Sequence, residues 1–378
     1  MSFQGDWSFP TKMVFGAGRV SELAEHVRGA GGARVLLVTD AGLTRTPVIP
    51  AVTQALDAGD VPWAVFDGVH PNPVEADVVA GLAAWRESEA DCVVAVGGGS
   101  PLDVGKLIAL MATHEPPLKQ YDDATGGWAR IRADIPPVVT IPTTAGTGSE
   151  VGRSGVVILK STGLKTVIFS PHMMPEVALC DPELTFGLPP FLTAATGIDA
   201  LTHCIEAYLS IGYHPFADGL ALQGIELVAA HLPRAVADGT DLEARSQMMV
   251  AASLGATAFQ KGLGVCHSLA HPLSTVASVH HGHANALMLA DVLAFNAAAV
   301  PEKVARVARG LGATDGDAAG AVRRLIDGLP MPSRLADAGV EEGMLPALVA
   351  QAEADGCKAS NPRPVSRDDL EALYRAAW

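Results

Sequence analysis

Asp199 and His203 lie four residues apart in GIDALTHCIEAY, a spacing that puts both side chains on one face of a helix. Ile198, Leu201 and Ile205 give that helix apolar surface, so a polar pair there needs compensation. A metal ion provides it, and so does a direct Asp–His hydrogen bond. His267 and His271 repeat the i, i+4 spacing in VCHSLAHPLSTV, and His280, His281 and His283 crowd the segment beyond. Pro272 predicts a break in the helix before that segment. Asp199, His203, His267 and His281 offer one carboxylate and three imidazoles, a set able to hold one divalent metal. Spacing alone does not choose among His280, His281 and His283. Without cysteine ligands the set does not read as a structural zinc site; Fe(II), Zn(II), Co(II) and Mn(II) all suit these donors. Glu206, three residues past His203, is expected at the solvated surface, the other readings being a support for the ligands or a spare ligand.

Two loops of small residues precede this set. VGGGSPLD follows an apolar run and opens a helical one. Glycine backbone can approach a pyrophosphate closely, and a helix N-terminus adds free N–H groups and positive partial charge. The sequence is not G-x-G-x-x-G, and a tight strand-to-helix turn explains GGGS equally well. TTAGTGSE (143–150) is the second loop, suited either to a nicotinamide or to a plain crossover. Asp40 ends the first apolar run; an acid there can bond a ribose 2′-OH and repel a 2′-phosphate, favouring NAD, or it can serve as a turn residue.

The elements that must carry these residues fall into two regimes. RVLLVTD (34–40), PWAVFDG (62–68), CVVAV (92–96) and PVVTI (137–141) read as strands, and 74–88 and 101–112 as helices. Segments 155–159, 165–169 and 177–180 read as further strands near the edge of that unit. Alternation of this kind predicts a parallel sheet covered on both faces. Beyond residue 185 the pattern is helical throughout, closing in VSRDDLEALYRAAW with a serine N-cap. The expected division is therefore 1–185, an α/β dinucleotide-binding domain, and 186–378, an all-helical metal-binding and catalytic domain.

Composition narrows the class of function. Forty-one acidic residues against 26 basic ones give a net charge of −15, which disfavours nucleic acid or an anionic membrane as partner. Five cysteines, none in a C-x-x-C pair, predict a reducing, cytoplasmic setting. MSFQGDWSFPTK lacks the apolar region of a signal peptide, and no run is long and apolar enough for a membrane helix.

VGGGSPLDVGK, PTTAGTGSEV, LTAATGIDALTHCIEAY, GLGVCHSLAHPL and HGHANAL, in this order, resemble the signatures of the iron-containing (group III) alcohol dehydrogenases. The likeness runs from FPTKMVFGAG to LYRAAW, essentially the whole chain. It implies Asp199, His203, His267 and His281 as metal ligands, with Fe(II) as the metal and Zn(II) an alternative, and His271 as a catalytic neighbour. It also implies that Gly98, Gly99, Ser100, Asp103, Thr143, Thr144, Thr147 and Lys165 line the dinucleotide site, that Asn72 approaches the adenosine part and that Asp40 selects NAD. The implied activity is reversible oxidation of an alcohol to an aldehyde or ketone by a homodimer or larger homo-oligomer. A hydroxyacid (4-hydroxybutyrate-type) dehydrogenase is the alternative within the family; a non-enzymatic NAD-binding scaffold is the alternative outside it. Gly152, Arg153, Ser154, Ala258 and His280 depart from the family pattern. Arg153 is expected in a structural salt bridge, the other reading being attraction of a substrate carboxylate.

Overall fold

The computed structural model describes residue 9 and residues 11–378; residues 1–8 and 10, on which the signal-peptide reading falls, lie outside them. Phe9–Thr144 with Gly148–Gly187 forms one compact unit, and Ala145–Thr147 with Leu188–Trp378 another.

The first unit alternates strand and helix: β1 (Lys12–Phe15), α1 (Leu23–Gly29), β2 (Val35–Val38), α2 (Val48–Ala58), β3 (Trp63–Phe66), α3 (Glu75–Glu87), β4 (Cys92–Gly97), α4 (Gly99–Thr113), β5 (Val138–Pro142), β6 (Ser154–Ile158), β7 (Lys165–Phe169) and β8 (Val177–Cys180). Six strands form one sheet in the order β1-β8-β5-β4-β2-β3, every pairing parallel. Alternate residues serve opposite faces. Leu36, Val38, Val93 and Ala95 pack with α3 and α4 residues such as Val78 and Leu107. Val35, Leu37, Val94 and Val96 pack with Val27, Val52 and Leu56 on the other side. This double burial is why β2, β4 and β8 read as apolar runs and β5 as one interrupted only by Thr140. β6 and β7 do not join that sheet but pair antiparallel as a hairpin. β1 escaped the strand reading because only Val14 of its four residues is buried.

The second unit contains α5 (Pro190–Leu209), α6 (Pro215–Ala237), α7 (Leu242–Ala258), α8 (Val265–Val276), α9 (His281–Ala297), α10 (Pro301–Gly310), α11 (Ala318–Asp327), α12 (Leu345–Ala354) and α13 (Arg367–Ala376), with no strand among the described residues. Every residue from Thr193 to Leu209 is buried, so α5 is the axis of the unit. Its C-terminal end is held by two cations: Lys261 and Lys303 donate Nζ to the Tyr208 carbonyl at 3.0 and 2.7 Å, where the helix dipole is negative. Pro272 lies inside α8 rather than ending it. The helix stops at Val276, and the chain turns through Ser278 at φ 56° before α9 begins. Ser366 caps α13 in a reciprocal capping box with Asp369, as the sequence predicts.

Candidate active site

Three imidazoles from three helices converge on one carboxylate oxygen. Asp199 and His203 come from α5, His267 from α8 and His281 from the first turn of α9. The Nε2 atoms of His203, His267 and His281 lie 3.7, 3.8 and 3.5 Å from Asp199 Oδ1. Ligands about 2.1 Å from a tetrahedral ion stand about 3.4 Å apart, so each separation from Asp199 is close to what one first-row divalent metal needs, and the donor atoms of Asp199, His203 and His267 lie within 4.8 Å of one another. Asp199, His203 and His267 are buried, whereas the His281 side chain is 24 % exposed. Gly282 permits the convergence: a Cβ there would stand 2.1 Å from the Ala195 carbonyl oxygen, so only glycine brings the start of α9 this close to α5.

The structure separates the crowded histidines. His283 binds the Pro332 carbonyl through Nε2 at 2.7 Å and meets Phe191 edge-on, while His280 is exposed. His281 alone of the three has a ring nitrogen paired with Asp199. Burial pushes His203 down to about 4, which keeps its imidazole neutral, the form a metal needs.

Three polar groups around these donors were not legible as such. Glu206 is buried, not solvated: Oε2 sits 2.6 Å from His267 Nδ1, and Oε1 accepts from Cys266 N at 2.6 Å. Burial opposes charge on His267 most strongly, but the Glu206 hydrogen bond and the charges of Glu206, Asp199 and Asp355 together outweigh it and raise the imidazole above its ordinary range. A carboxylate on Nδ1 orients a histidine for metal binding through Nε2. Asn285, one turn beyond His281, donates Nδ2 to Asp199 Oδ1 at 2.7 Å. The third is Asp355, just past α12, whose Oδ2 lies 2.8 Å from His271 Nδ1. Burial would raise the Asp355 carboxyl, yet hydrogen bonds from His271, Cys357 N and Ser268 hold it well below the usual carboxylate range. The His267–Glu206 and His271–Asp355 contacts that give these carboxylates their place join residues 61 and 84 positions apart in the chain.

Of the predicted dinucleotide residues, Gly98, Gly99, Thr143 and Thr144 lie at the carboxyl ends of β4 and β5, where open α/β sheets take ligands. Gly97, at φ 148°, makes the turn from β4; a Cβ there would meet Pro101 at 2.7 Å. Gly98 precedes the first turn of α4 and faces Thr144. Gly99 and Ser100 lie in that turn. Ser100 Oγ donates to the Pro71 carbonyl at 2.7 Å, pinning the loop that holds Asn72 to the glycine loop. Thr143 N donates to the Gly97 carbonyl at 2.9 Å. Asp40 Oδ1 closes a turn by accepting from Gly42 N and Leu43 N.

Asp103 is committed within the protein. Oδ1 accepts from Ser149 Oγ at 2.6 Å, beside buried Lys106, and Oδ2 accepts from Val156 N at 3.1 Å. It thereby ties β6 and the 149–152 turn to α4. Lys165 pairs with Ile158, which bridges Val74 just after Asn72. Thr147 lies in the loop after β5, in the short stretch grouped with the helical unit. Among the described residues Arg153 does not form the expected salt bridge; its guanidinium stands 5.3 Å above the Phe169 ring.

A parallel-sheet unit with a glycine loop and a helical unit with an Asp–His₃ cluster define a metal-assisted oxidoreductase. The chain belongs to the iron-containing alcohol dehydrogenase family: residues 10–182 match the profile "Iron-containing alcohol dehydrogenase" and 193–378 its C-terminal counterpart. It is an enzyme that interconverts alcohols with aldehydes or ketones. It is 44 % identical to 4-hydroxybutyrate dehydrogenase of Cupriavidus necator over 94 % of this chain and 95 % of that one. The crystal structure of a 1,3-propanediol oxidoreductase superposes with a TM-score of 0.95 at 39 % identity, covering 99 % and 100 % of the two chains. Sulfoacetaldehyde reductase from Bifidobacterium kashiwanohense, solved with NAD+, superposes with a TM-score of 0.91 at 32 % identity over 99 % and 98 %.

Proposed function

We propose that the chain oxidises an alcohol reversibly with NAD, at an Fe(II) ion held by Asp199, His203, His267 and His281. The observation that carries this reading is the approach of three imidazole nitrogens to one carboxylate oxygen. Bound there, the metal supplies Lewis acidity toward a substrate oxygen, and the dinucleotide supplies a hydride acceptor. Glu206 holds His267 with Nε2 toward the donor cluster. Gly98, Gly99, Ser100, Thr143, Thr144, Thr147 and Lys165 bind the dinucleotide, with Asn72 at its adenosine end and Asp103 fixing the elements around it. Asp40 favours a free ribose 2′-OH over a 2′-phosphate. His271 takes the hydroxyl proton at Nε2 and returns it in the reverse direction.

An anaerobic activity panel with NAD(H) and NADP(H), on protein reconstituted with Fe(II) or Zn(II), tests the assignment. NAD-linked turnover that requires Fe(II) and disappears in Asp199→Ala supports it; full turnover in metal-stripped protein refutes it. A hydroxyacid substrate is the second reading. It is favoured by the likeness to a 4-hydroxybutyrate dehydrogenase and by Arg153, whose charge is half-buried against Phe169 with no carboxylate partner among the described residues. Arg153→Gln should then raise KM for 4-hydroxybutyrate and leave KM for 1-butanol unchanged. A cytoplasmic homodimer or larger homo-oligomer completes the proposal. It is supported by the β1 edge, where Met13 and Phe15 are each 37 % exposed, and by five free cysteines. No helix among the described residues is long and apolar enough to cross a membrane.

A further inference from the structure

Asp355 sits in a socket built around a single imidazole. Its Oδ1 accepts from Ser268 Oγ at 2.8 Å and from Cys357 N at 2.8 Å, while Oδ2 faces His271 Nδ1 at 2.8 Å. Ser268 Oγ accepts in turn from Lys358 N at 2.8 Å, which locks the hydroxyl rotor so that its proton points at Asp355. Ser268 and His271 are one turn apart on α8, and Tyr374 of α13 donates to the Leu269 carbonyl at 2.8 Å between them. Helix, loop and carboxylate are thus fixed before any ligand arrives. The Asp355 side chain is 18 % exposed and accepts three donors, an arrangement suited to the carboxylate and not to the acid.

A carboxylate facing Nδ1 decides where a neutral imidazole carries its proton. Nδ1 is the donor and Nε2 is left as the acceptor. The ring lies face to face with His281 at a centroid separation of 5.4 Å and 5.9 Å from His267. The donor atoms of His271, Asp355 and Cys357 also lie within 4.8 Å of one another, as in a second metal site. The 2.8 Å contact argues against that use: it has hydrogen-bond length, whereas two ligands of one tetrahedral ion stand about 3.4 Å apart.

We infer that Asp355, supported by Ser268, is the positioning residue that fixes the orientation and tautomer of His271, leaving Nε2 to accept the substrate's hydroxyl proton. The inference rests on the role proposed for His271. In the oxidation the hydroxyl proton moves to Nε2; the imidazolium so formed keeps its other proton on Nδ1, and Asp355 remains a carboxylate throughout.

The test compares Asp355→Asn, His271→Ala and the double variant in the full-length Fe(II)-loaded protein, with metal content measured alongside kcat and KM for 1-butanol. Asp355→Asn should retain one metal per chain, lower kcat about 10–100-fold and leave KM nearly unchanged. The double variant should be no slower than His271→Ala alone, because Asp355 acts only through that ring. Losses that multiply, or an unimpaired Asp355→Asn beside an impaired His271→Ala, would overturn the inference while sparing the role of His271. Full activity in His271→Ala would instead overturn that role. Should Asp355→Asn not fold, nitrogen-15 NMR of the zinc-loaded wild-type protein decides: protonated Nδ1 on His271 is expected, and protonated Nε2 would refute the socket. Two metals per wild-type chain, falling to one in Asp355→Asn, would also refute it.

Discussion

Each histidine presented by α8 is backed by a carboxylate from elsewhere: His267 by Glu206, His271 by Asp355. These carboxylates differ from surface acids in having every nearby donor spent on them, so their removal should be felt at the site. Glu206→Gln should weaken metal affinity about 10–100-fold with little change in the fold, measured by competition with a chromogenic chelator. Asp355 carries a pH signature as well. Hydrogen bonds and the neighbouring His271 overcome burial and depress its carboxyl, so its contribution to stability is complete above the ordinary carboxylate range, declines as pH falls below about 4 and is lost only as pH passes through the depressed folded value. Metal-free wild type and Asp355→Asn should therefore differ most in Tm at pH 7, and the difference should begin to narrow only as pH falls below about 4, as followed by calorimetry. A difference that stays constant with pH would contradict this assignment. The ligand-type residues were legible because histidine and aspartate at i, i+4 in an apolar helix have few other uses. Their carboxylate supports were not, since an acid three residues past a histidine looks the same whether it faces water or a ring 61 residues away.

At the scale of elements, the site depends on how closely α9 approaches α5. Gly282 makes that approach possible, so Gly282→Ala should force the two helices apart and cost about 1–3 kcal/mol. Because His281 is the neighbouring residue, metal content should fall even where the variant stays folded. Elemental analysis beside thermal melting checks this; unchanged metal binding would place the α9 contact outside the site. α3, α4 and the doubly buried strands were readable from period and run length, whereas α1 and α2 were not read. β1 was not, because an edge strand with one inward residue carries too little pattern. The continuity of α8 through Pro272 was also unreadable, because proline marks a potential break and packing decides whether the helix continues.

For the whole molecule, a metal bound only by the folded state adds stability by mass action, about 2.7 kcal/mol when free metal is 100-fold above Kd. Stripping it should lower Tm by about 3–4 °C, and adding back Fe(II) should restore it. Scanning calorimetry with and without chelator tests this, and an unmoved transition would mean that the metal contributes nothing to the fold. Its donors are far apart in the order of synthesis. α6, α7 and α8 are made between Asp199 and His281, and Asp355 comes after all of them. A nascent chain therefore offers no complete set of donors until α9 has been made and has docked. Under the proposed ligand assignment, the ion is acquired by an already folded unit from the side where His281 is exposed. Its identity is then set by the ions available to the finished protein, so two preparations of one sequence from differently supplied cells can carry different metals.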